Sequence, residues 1–150
     1  MVSPVKLVLD AAGLPWIYRV FPTQTKTAAE TAAALGCEID QIIKSLIFST
    51  DEGVLVLVLI RGSKKLSTKR FHNLTGIQLQ KASPEEIFAK TGFAIGSIPS
   101  FGFVPAILTF IDERLVCEAE LWCGTGDSNT ACMIPGDKLV ELSAGHLLKV

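Results

Sequence analysis

The sequence predicts a single α+β domain, residues 1–150, built on a largely antiparallel or mixed sheet with short helices. Hydrophobic residues make up 49% of the chain and charged residues 19%, a balance that excludes a disordered protein. Apolar runs of strand length alternate with helix-capping and turn residues. The longest apolar run, residues 54–60, is too short to span a membrane, and the N-terminus lacks the order of a signal peptide. We therefore expect a cytoplasmic globular protein with its own core.

The first half of the chain contains two helix starts followed by a hairpin. A serine or threonine that can cap a helix precedes each helical stretch, and a glycine ends it. A turn at residues 51–53 joins the hairpin strands, and the second strand is apolar at every position, so both its faces should be covered. In chain order the predicted elements are a helix that follows Ser3 and ends at Gly13, a strand over residues 16–21, a helix that follows Thr27 and ends at Gly36, and strands over residues 42–49 and 54–60.

The second half contains two more capped helices and several short strands. Ser83 is followed by proline at the first helical position and by glutamate at the third, a strong helix start. The predicted elements are a short basic helix that begins at Ser67, a helix that follows Ser83 and stops at Gly92, strands near residues 106–111, 115–118, 120–123 and 130–134, and a helical turn around residues 137–142.

Lys44 is the lysine of the predicted strand over residues 42–49. Because side chains alternate along a strand, it shares a face with Ile42, Leu46 and Phe48. An ammonium group on so apolar a face is costly unless it meets an anion, which makes Lys44 a candidate binding residue. The alternative is that its stem extends from the strand end to place the charge in water. The strand pattern leaves both interpretations open.

A basic segment follows the hairpin. Five of the fourteen lysines and arginines fall within residues 61–70, and no acidic residue occurs from position 54 to position 84. The net charge of the whole chain is −1, so any attraction for a polyanion is local, and this segment suits a phosphate backbone. The alternative is a solvated helix face. The basic segment consists of Arg61, Lys64, Lys65, Lys69 and Arg70.

Two stretches are rich in glycine. The glycine–proline loop, residues 92–103, has the sequence GFAIGSIPSFGF, and a later stretch, residues 123–130, has the sequence CGTGDSNT. Such loops can offer free backbone N–H groups to a carbonyl, a carboxylate or a phosphate, although glycines more often mark turns. The later stretch lacks the third glycine and the helix of a dinucleotide-binding fingerprint, which disfavours a nucleotide-binding protein.

No arrangement typical of nucleophilic catalysis or metal binding is evident. The four cysteines form no C-x-x-C pair, which favours free thiols over a zinc site. Neither His72 nor His146 has a serine or cysteine partner in a recognisable motif. An enzyme of this sequence would work without an obvious general base, metal or cofactor.

Four stretches together resemble the YbaK/ProX family of aminoacyl-tRNA editing domains, which are free-standing or inserted in prolyl-tRNA synthetases. The resemblance extends from about Lys44 to Leu142, and the strand lysine is fairly specific when it occurs with the loop and the segment that follows. The stretches are IIKSLIF, TGFAIGSIPSFG, LTFIDERL and CGTGDSNTACMIPGDKL.

The resemblance implies a barrel-like mixed sheet flanked by helices and hydrolysis of the ester that joins a wrong amino acid to tRNA. In the chemistry proposed for the family, the ribose hydroxyl of the substrate helps to activate water. The expected partners are the tRNA acceptor end, which the basic segment would bind, and a synthetase. The implied catalytic residues are Lys44, Gly96 and Ser97, and the implied substrate-binding residues are Phe93, Ile95, Ile98, Pro99, Ser100, Gly124, Gly126, Asp127 and Asn129.

The sequence departs from the family pattern at two positions. Many members carry proline where this chain has Ser100, and many carry histidine where it has Asn129. Loop shape and amino-acid preference are therefore open, with alanine- or cysteine-charged tRNA for proline as the expected substrates. A non-catalytic module that binds tRNA ends or a synthetase would use the same residues, and turnover distinguishes the two.

Overall fold

A computed structural model describes residues 3–22, 25 and 27–150 as five α-helices and eight strands. Three short 3-10 helices lie at Ile39–Gln41, Glu113–Cys117 and Gly136–Lys138. No helix within the described ranges is long and apolar enough to cross a membrane. The elements are α1 (Pro4–Ala11), β1 (Ile17–Val20), α2 (Ala28–Leu35), β2 (Ile43–Ser49), β3 (Leu55–Arg61), α3 (Thr68–Thr75), β4 (Gln80–Lys81), α4 (Pro84–Thr91), β5 (Leu108–Asp112), β6 (Leu121–Gly124), β7 (Thr130–Ile134), α5 (Leu139–Ser143) and β8 (His146–Leu148).

The strands form two sheets. One has the order β1-β7-β6 and is antiparallel, and the other has the order β4-β2-β3-β5-β8, in which β3, β5 and β8 run parallel. A parallel bridge between Ile42 and Trp122 joins the sheets. The predicted α+β class with a mixed, mostly antiparallel arrangement is therefore confirmed. Among the described strands, however, the sheets do not close into a barrel.

The hydrophobic core lies on both faces of β3. Leu57 and Leu59 point into the main core, which fills the space between the two sheets and beneath α1 and α5. Val56, Val58 and Ile60 point to the opposite face, where Phe71 of α3 covers them. The prediction that both faces of this apolar strand are covered is confirmed.

The capping signals define the helix starts as predicted. The side chains of Ser3, Thr27, Ser67 and Ser83 each accept a hydrogen bond from a backbone N–H of the first helical turn. Each bond satisfies a donor that a helix N-terminus leaves without a partner. These local interactions explain why α1, α2, α3 and α4 begin where the sequence indicates.

One predicted strand is wrong and two strands were not predicted. Residues 115–118 belong mostly to the 3-10 helix Glu113–Cys117, because the Asp112 carboxylate accepts a hydrogen bond from the Arg114 N–H and turns the chain at the end of β5. The unpredicted strands are β4, which has only two residues, and β8, which pairs with β5. Both depend on long-range pairing rather than on a local pattern.

The fold leaves part of one strand edge open. On the side away from β3, β4 pairs only with Phe48 and Ser49, and the bridge at Ile42 lies at the other end of β2. Between these two points, no described strand pairs with this edge. An unpaired edge presents backbone N–H and C=O groups that a ligand can bind.

Candidate functional site

A cavity of about 440 Å³ opens along the free edge of β2. Residues 42–48 form one wall, and β6, β7, α2 and the glycine–proline loop form the others. Six predicted site residues line the cavity: Lys44, Ile95, Gly96, Ile98, Gly124 and Asn129. Residues 81, 82 and 87 complete the lining, so the fold brings together five separate stretches of the chain.

Lys44 joins this cavity to the basic segment. Its Nζ donates a hydrogen bond to the Lys64 carbonyl at 2.7 Å, and none of the ion pairs between described residues includes it. The apolar residues Leu46 and Phe48 on the same face pack against the cluster beneath α3. The ammonium group thus extends past that cluster to the Lys64 carbonyl, and no described carboxylate forms an ion pair with it.

The glycine–proline loop turns tightly at its centre. Gly96 has a φ of 96°, a conformation that L-residues rarely adopt. The backbone N–H and the hydroxyl of Ser97 both donate to the Ala94 carbonyl, at 3.1 and 3.0 Å, and close the turn. Gly96 therefore has a conformational role whether or not a ligand approaches it, while the Ser97 N–H is already engaged.

Ser100 attaches the loop to β2. It is fully buried, and its Oγ lies 2.9 Å from Oγ of Ser45, a cavity-lining residue. Pro99 is buried beside it. Neither Pro99 nor Ser100 lines the cavity, so both fix the position of the loop rather than present groups to its interior.

The later glycine stretch packs against the same loop. A Cβ on Gly124 would lie 2.4 Å from the Ile98 carbonyl oxygen, and a Cβ on Gly126 would lie 2.8 Å from the Phe93 ring. That ring also packs edge-on against Phe103, with 5.8 Å between ring centroids. Phe93 and Gly126 therefore support the loop from outside the cavity lining.

Asn129 and Asp127 shape the turn between β6 and β7. Asn129 has a φ of 55°. Its side-chain Nδ2 donates to the Phe21 backbone carbonyl at 2.9 Å, and its backbone carbonyl accepts from the Phe21 N–H at 2.8 Å. The amide therefore joins the end of β1 to this turn. Asp127 is exposed and lies outside the lining.

Among the described residues, one cation of the basic segment forms an ion pair and the other four do not. The Arg61 Nε lies 2.7 Å from Oδ2 of the buried Asp112, which neutralises its charge. Lys64, Lys65 and Arg70 line a second hollow of about 120 Å³, and Arg70 also donates to the Lys149 carbonyl at 3.0 Å. These three residues and Lys69 are exposed, without an ion pair among the described residues.

The main cavity has no evident protein base. Neither histidine nor any described carboxylate lines it. Its cysteine, Cys123, faces Cys132 across two paired strands with 3.1 Å between the sulfur atoms. The hydrogen bond with Cys132 and burial hold the pKa of the Cys123 thiol well above its usual range, so the thiol stays protonated. The cavity can orient a reacting group but offers no activated nucleophile.

Sequence reasoning missed the wall formed by α2 and the second lysine of the cavity. Thr31 lines it from α2, Thr27 lines it from the N-cap of that helix, and Lys81 lines it from β4. The dense threonines of residues 23–31 were a usable signal, whereas Lys81 falls in the acid-free region but outside the basic segment. Their shared position depends on strand pairing that the local pattern does not reveal.

Comparison with known proteins agrees with this geometry. The family model for the aminoacyl-tRNA editing domain matches residues 22–142, which contain every residue that lines the cavity except Phe21. This chain belongs to the aminoacyl-tRNA editing domain family. The predicted family is therefore confirmed, and Lys44 and the glycine–proline loop both fall inside the matched region.

Curated relatives show the same domain in two settings. The editing domain is 26% identical over 123 residues to YwhH, an uncharacterized protein of Bacillus subtilis, covering 82% of this chain and 78% of that protein. It is 35% identical over 106 residues to the proline–tRNA ligase of Shouchella clausii, covering 70% of this chain. It spans only 18% of that ligase.

One solved structure is similar to this protein over nearly the whole chain. That protein is provisionally described as a trans-editing enzyme for prolyl tRNA synthetase. It matches the editing domain with a TM-score of 0.86 and 32% identity, over 97% of this chain and 92% of its own.

Proposed function

We propose that this editing domain acts in trans as a hydrolase of mischarged tRNA, cleaving the ester between a wrong amino acid and the terminal adenosine. The observation that carries the proposal is the position of Lys44, whose ammonium lies between a cavity large enough for an aminoacyl-adenosine and the basic segment. A tRNA end needs this combination, because its last nucleotide enters a pocket while the preceding phosphates remain outside.

Binding comes first in the proposed sequence of events. The exposed cations of the basic segment attract the phosphates of the acceptor stem, and Lys44 contacts the terminal ribose-phosphate as a compact cation. The free edge of β2 offers backbone groups to the sugar or base. The walls formed by Ile95 and Ile98 then enclose the amino-acid side chain.

Hydrolysis then requires little from the protein. Water adds to the ester carbonyl, the carbonyl oxygen takes up negative charge, and the bond to the ribose oxygen breaks to give the free amino acid and uncharged tRNA. Backbone N–H groups of the glycine–proline loop other than that of Ser97, which bonds to the Ala94 carbonyl, stabilise the developing oxyanion. The neighbouring ribose hydroxyl orients the water and relays its proton to the leaving oxygen, which fits a cavity whose described lining lacks histidine and carboxylate.

Substrate choice follows from the size of the cavity walls. In an apolar pocket, two substrates that differ by one methylene group differ in transition-state binding by about 1 to 3 kcal/mol. Apolar walls such as Ile95 and Ile98 therefore separate small amino acids from larger ones. We propose alanine- or cysteine-charged tRNA for proline as substrates, in keeping with the relatives that are proline–tRNA ligases.

A deacylation panel tests the proposal. Purified protein at one-hundredth of the substrate concentration is mixed with tRNA charged with alanine, cysteine, serine or proline, and free amino acid is measured over time. We expect many turnovers on at least one mischarged tRNA and none on correctly charged prolyl-tRNA. Tight tRNA binding without turnover would contradict the proposal and favour a non-catalytic module that binds tRNA ends or a synthetase.

A further inference from the structure

The glycine–proline loop is attached to the rest of the molecule on two sides of the cavity. On one side, the buried Ser100 bonds to Ser45 of β2. On the other, the Ile98 carbonyl packs directly onto Gly124 of β6, where a Cβ would lie 2.4 Å from the oxygen and 3.6 Å from the Pro99 Cα. The loop therefore spans the gap between the two sheets and fixes the width of the cavity there.

Gly124 is a glycine for this contact and not for its backbone conformation. It is absent from the glycines with positive φ, unlike Gly96 and Gly126. It lies in a strand, where glycine is intrinsically unfavourable because it packs no side chain. An alanine would adopt the same backbone, so what excludes a side chain is the close approach of the loop.

Ile98 and Gly124 both line the cavity, so the distance between them is a dimension of the binding site. We propose that Gly124 is a positioning residue that sets the amino-acid selectivity of the site by seating the glycine–proline loop against β6. This inference rests on the proposed function, since the group that the cavity selects by size is the acyl group of an aminoacyl ester. Any side chain at position 124 moves the Ile98 wall outward and admits larger acyl groups.

The variant Gly124→Ala tests this role. Relief of the clash requires the Ile98 oxygen to withdraw from 2.4 Å to at least 3.0 Å from the new Cβ. We expect the ratio of kcat/KM for leucine-charged tRNA to kcat/KM for alanine-charged tRNA to rise about 10-fold or more. A change of this size is typical of the discrimination that one methylene group produces in an apolar pocket. The ratio of the dissociation constant of amide-linked leucyl-adenosine to that of alanyl-adenosine should fall by the same factor, and a binding measurement reports it without hydrolysis.

Gly136→Ala is the matched control. Its Cβ would lie 2.2 Å from the Glu118 carbonyl oxygen, and Gly136 likewise lacks a positive φ, but it lies outside the cavity lining. We expect it to lose stability without a change in either ratio. If Gly124→Ala fails to fold, Ser100→Ala releases the other attachment of the loop and should shift the ratios in the same direction.

The outcomes separate the two levels of inference. Turnover by the parent with unchanged ratios in folded Gly124→Ala overturns the role of Gly124 and leaves the proposed function intact. Analogue binding without turnover refutes the hydrolase, while a shifted binding ratio still supports the role of Gly124. A parent protein that neither hydrolyses the esters nor binds the analogues refutes both.

Discussion

Lys44→Ala should remove most deacylation while leaving the fold intact. In the free protein, the ammonium makes one exposed hydrogen bond, to the Lys64 carbonyl. A bond of this kind contributes about 1 kcal/mol to stability, which corresponds to a fall in Tm of roughly 2 to 4 °C for a chain of this size. A hydrogen bond to a charged substrate group contributes about 1.5 to 3 kcal/mol, so kcat/KM should fall by about 10- to 150-fold.

The assay compares initial deacylation rates under conditions of low substrate, with thermal unfolding measured in parallel. Lys138→Ala is a suitable control because it removes the same charge from an exposed position whose nearest ionic partner, Glu141, is 3.9 Å away. Lys44→Arg, which keeps the charge but changes its shape, should retain part of the activity. Full activity in a normally folded Lys44→Ala protein would refute the assignment of Lys44 to the site.

Three further predictions concern the basic segment and the carboxylates that hold it in place. Replacing Lys64, Lys65, Lys69 and Arg70 by alanine should weaken the binding of all tRNAs alike. Filter binding at several salt concentrations should show that the slope of log binding constant against log salt concentration falls by about one unit per lost contact. An unchanged slope would mean that these residues are solvated surface without phosphate contacts. Asp112→Ala leaves a mostly buried guanidinium without a partner and should cost about 3 to 5 kcal/mol in urea unfolding, while a loss below about 1 kcal/mol would contradict that pairing. Hydrogen bonds from the Ser63 side chain and backbone lower the pKa of Asp40, so its stabilisation is present above the ordinary carboxyl pKa and is lost as pH falls through the lower folded value. The stability advantage of the parent over Asp40→Asn should therefore be full at neutral pH, begin to fall near the ordinary carboxyl pKa of about 4 and vanish only below the lowered pKa of the folded state. A pH-independent difference would be inconsistent with this mechanism.

The sequence predicted the elements whose causes are local. Ser67 caps α3 through the Arg70 N–H three residues away, and such a signal is legible in any short window. The uninterrupted apolar run of β3 likewise required cover on both faces. The strand predicted over residues 115–118 failed because a neighbouring carboxylate, that of Asp112, bends the chain there into a 3-10 turn.

The candidate site was predictable only in part, because its parts are distant in sequence. Lys44 and Gly96 were recognisable as unusual residues in their own segments. The contact between Ser45 and Ser100 joins residues 55 positions apart, and no local pattern indicated that Ser100 would be buried against β2. The packing of the Ile98 carbonyl against Gly124 likewise joins residues that are distant in sequence.

The pairing of β1 with β7 has a consequence for how the chain folds during synthesis. Ile17 pairs with Met133, and the Ser3 hydroxyl donates to the Thr125 carbonyl across a separation of 122 residues. At a translation rate of about 5 to 20 residues per second, β1 waits roughly 6 to 20 s for its partner strand to be made.

The β2–β3 hairpin can form early in that interval because its strands are adjacent in the chain. The strand β1, with its exposed apolar side chains Ile17, Tyr18 and Val20, has no strand to pair with until β7 leaves the ribosome. The cavity has the same timing, since its walls come from β2 on one side and β6 and β7 on the other. The nascent chain is thus unable to assemble this cavity before β7 has been translated.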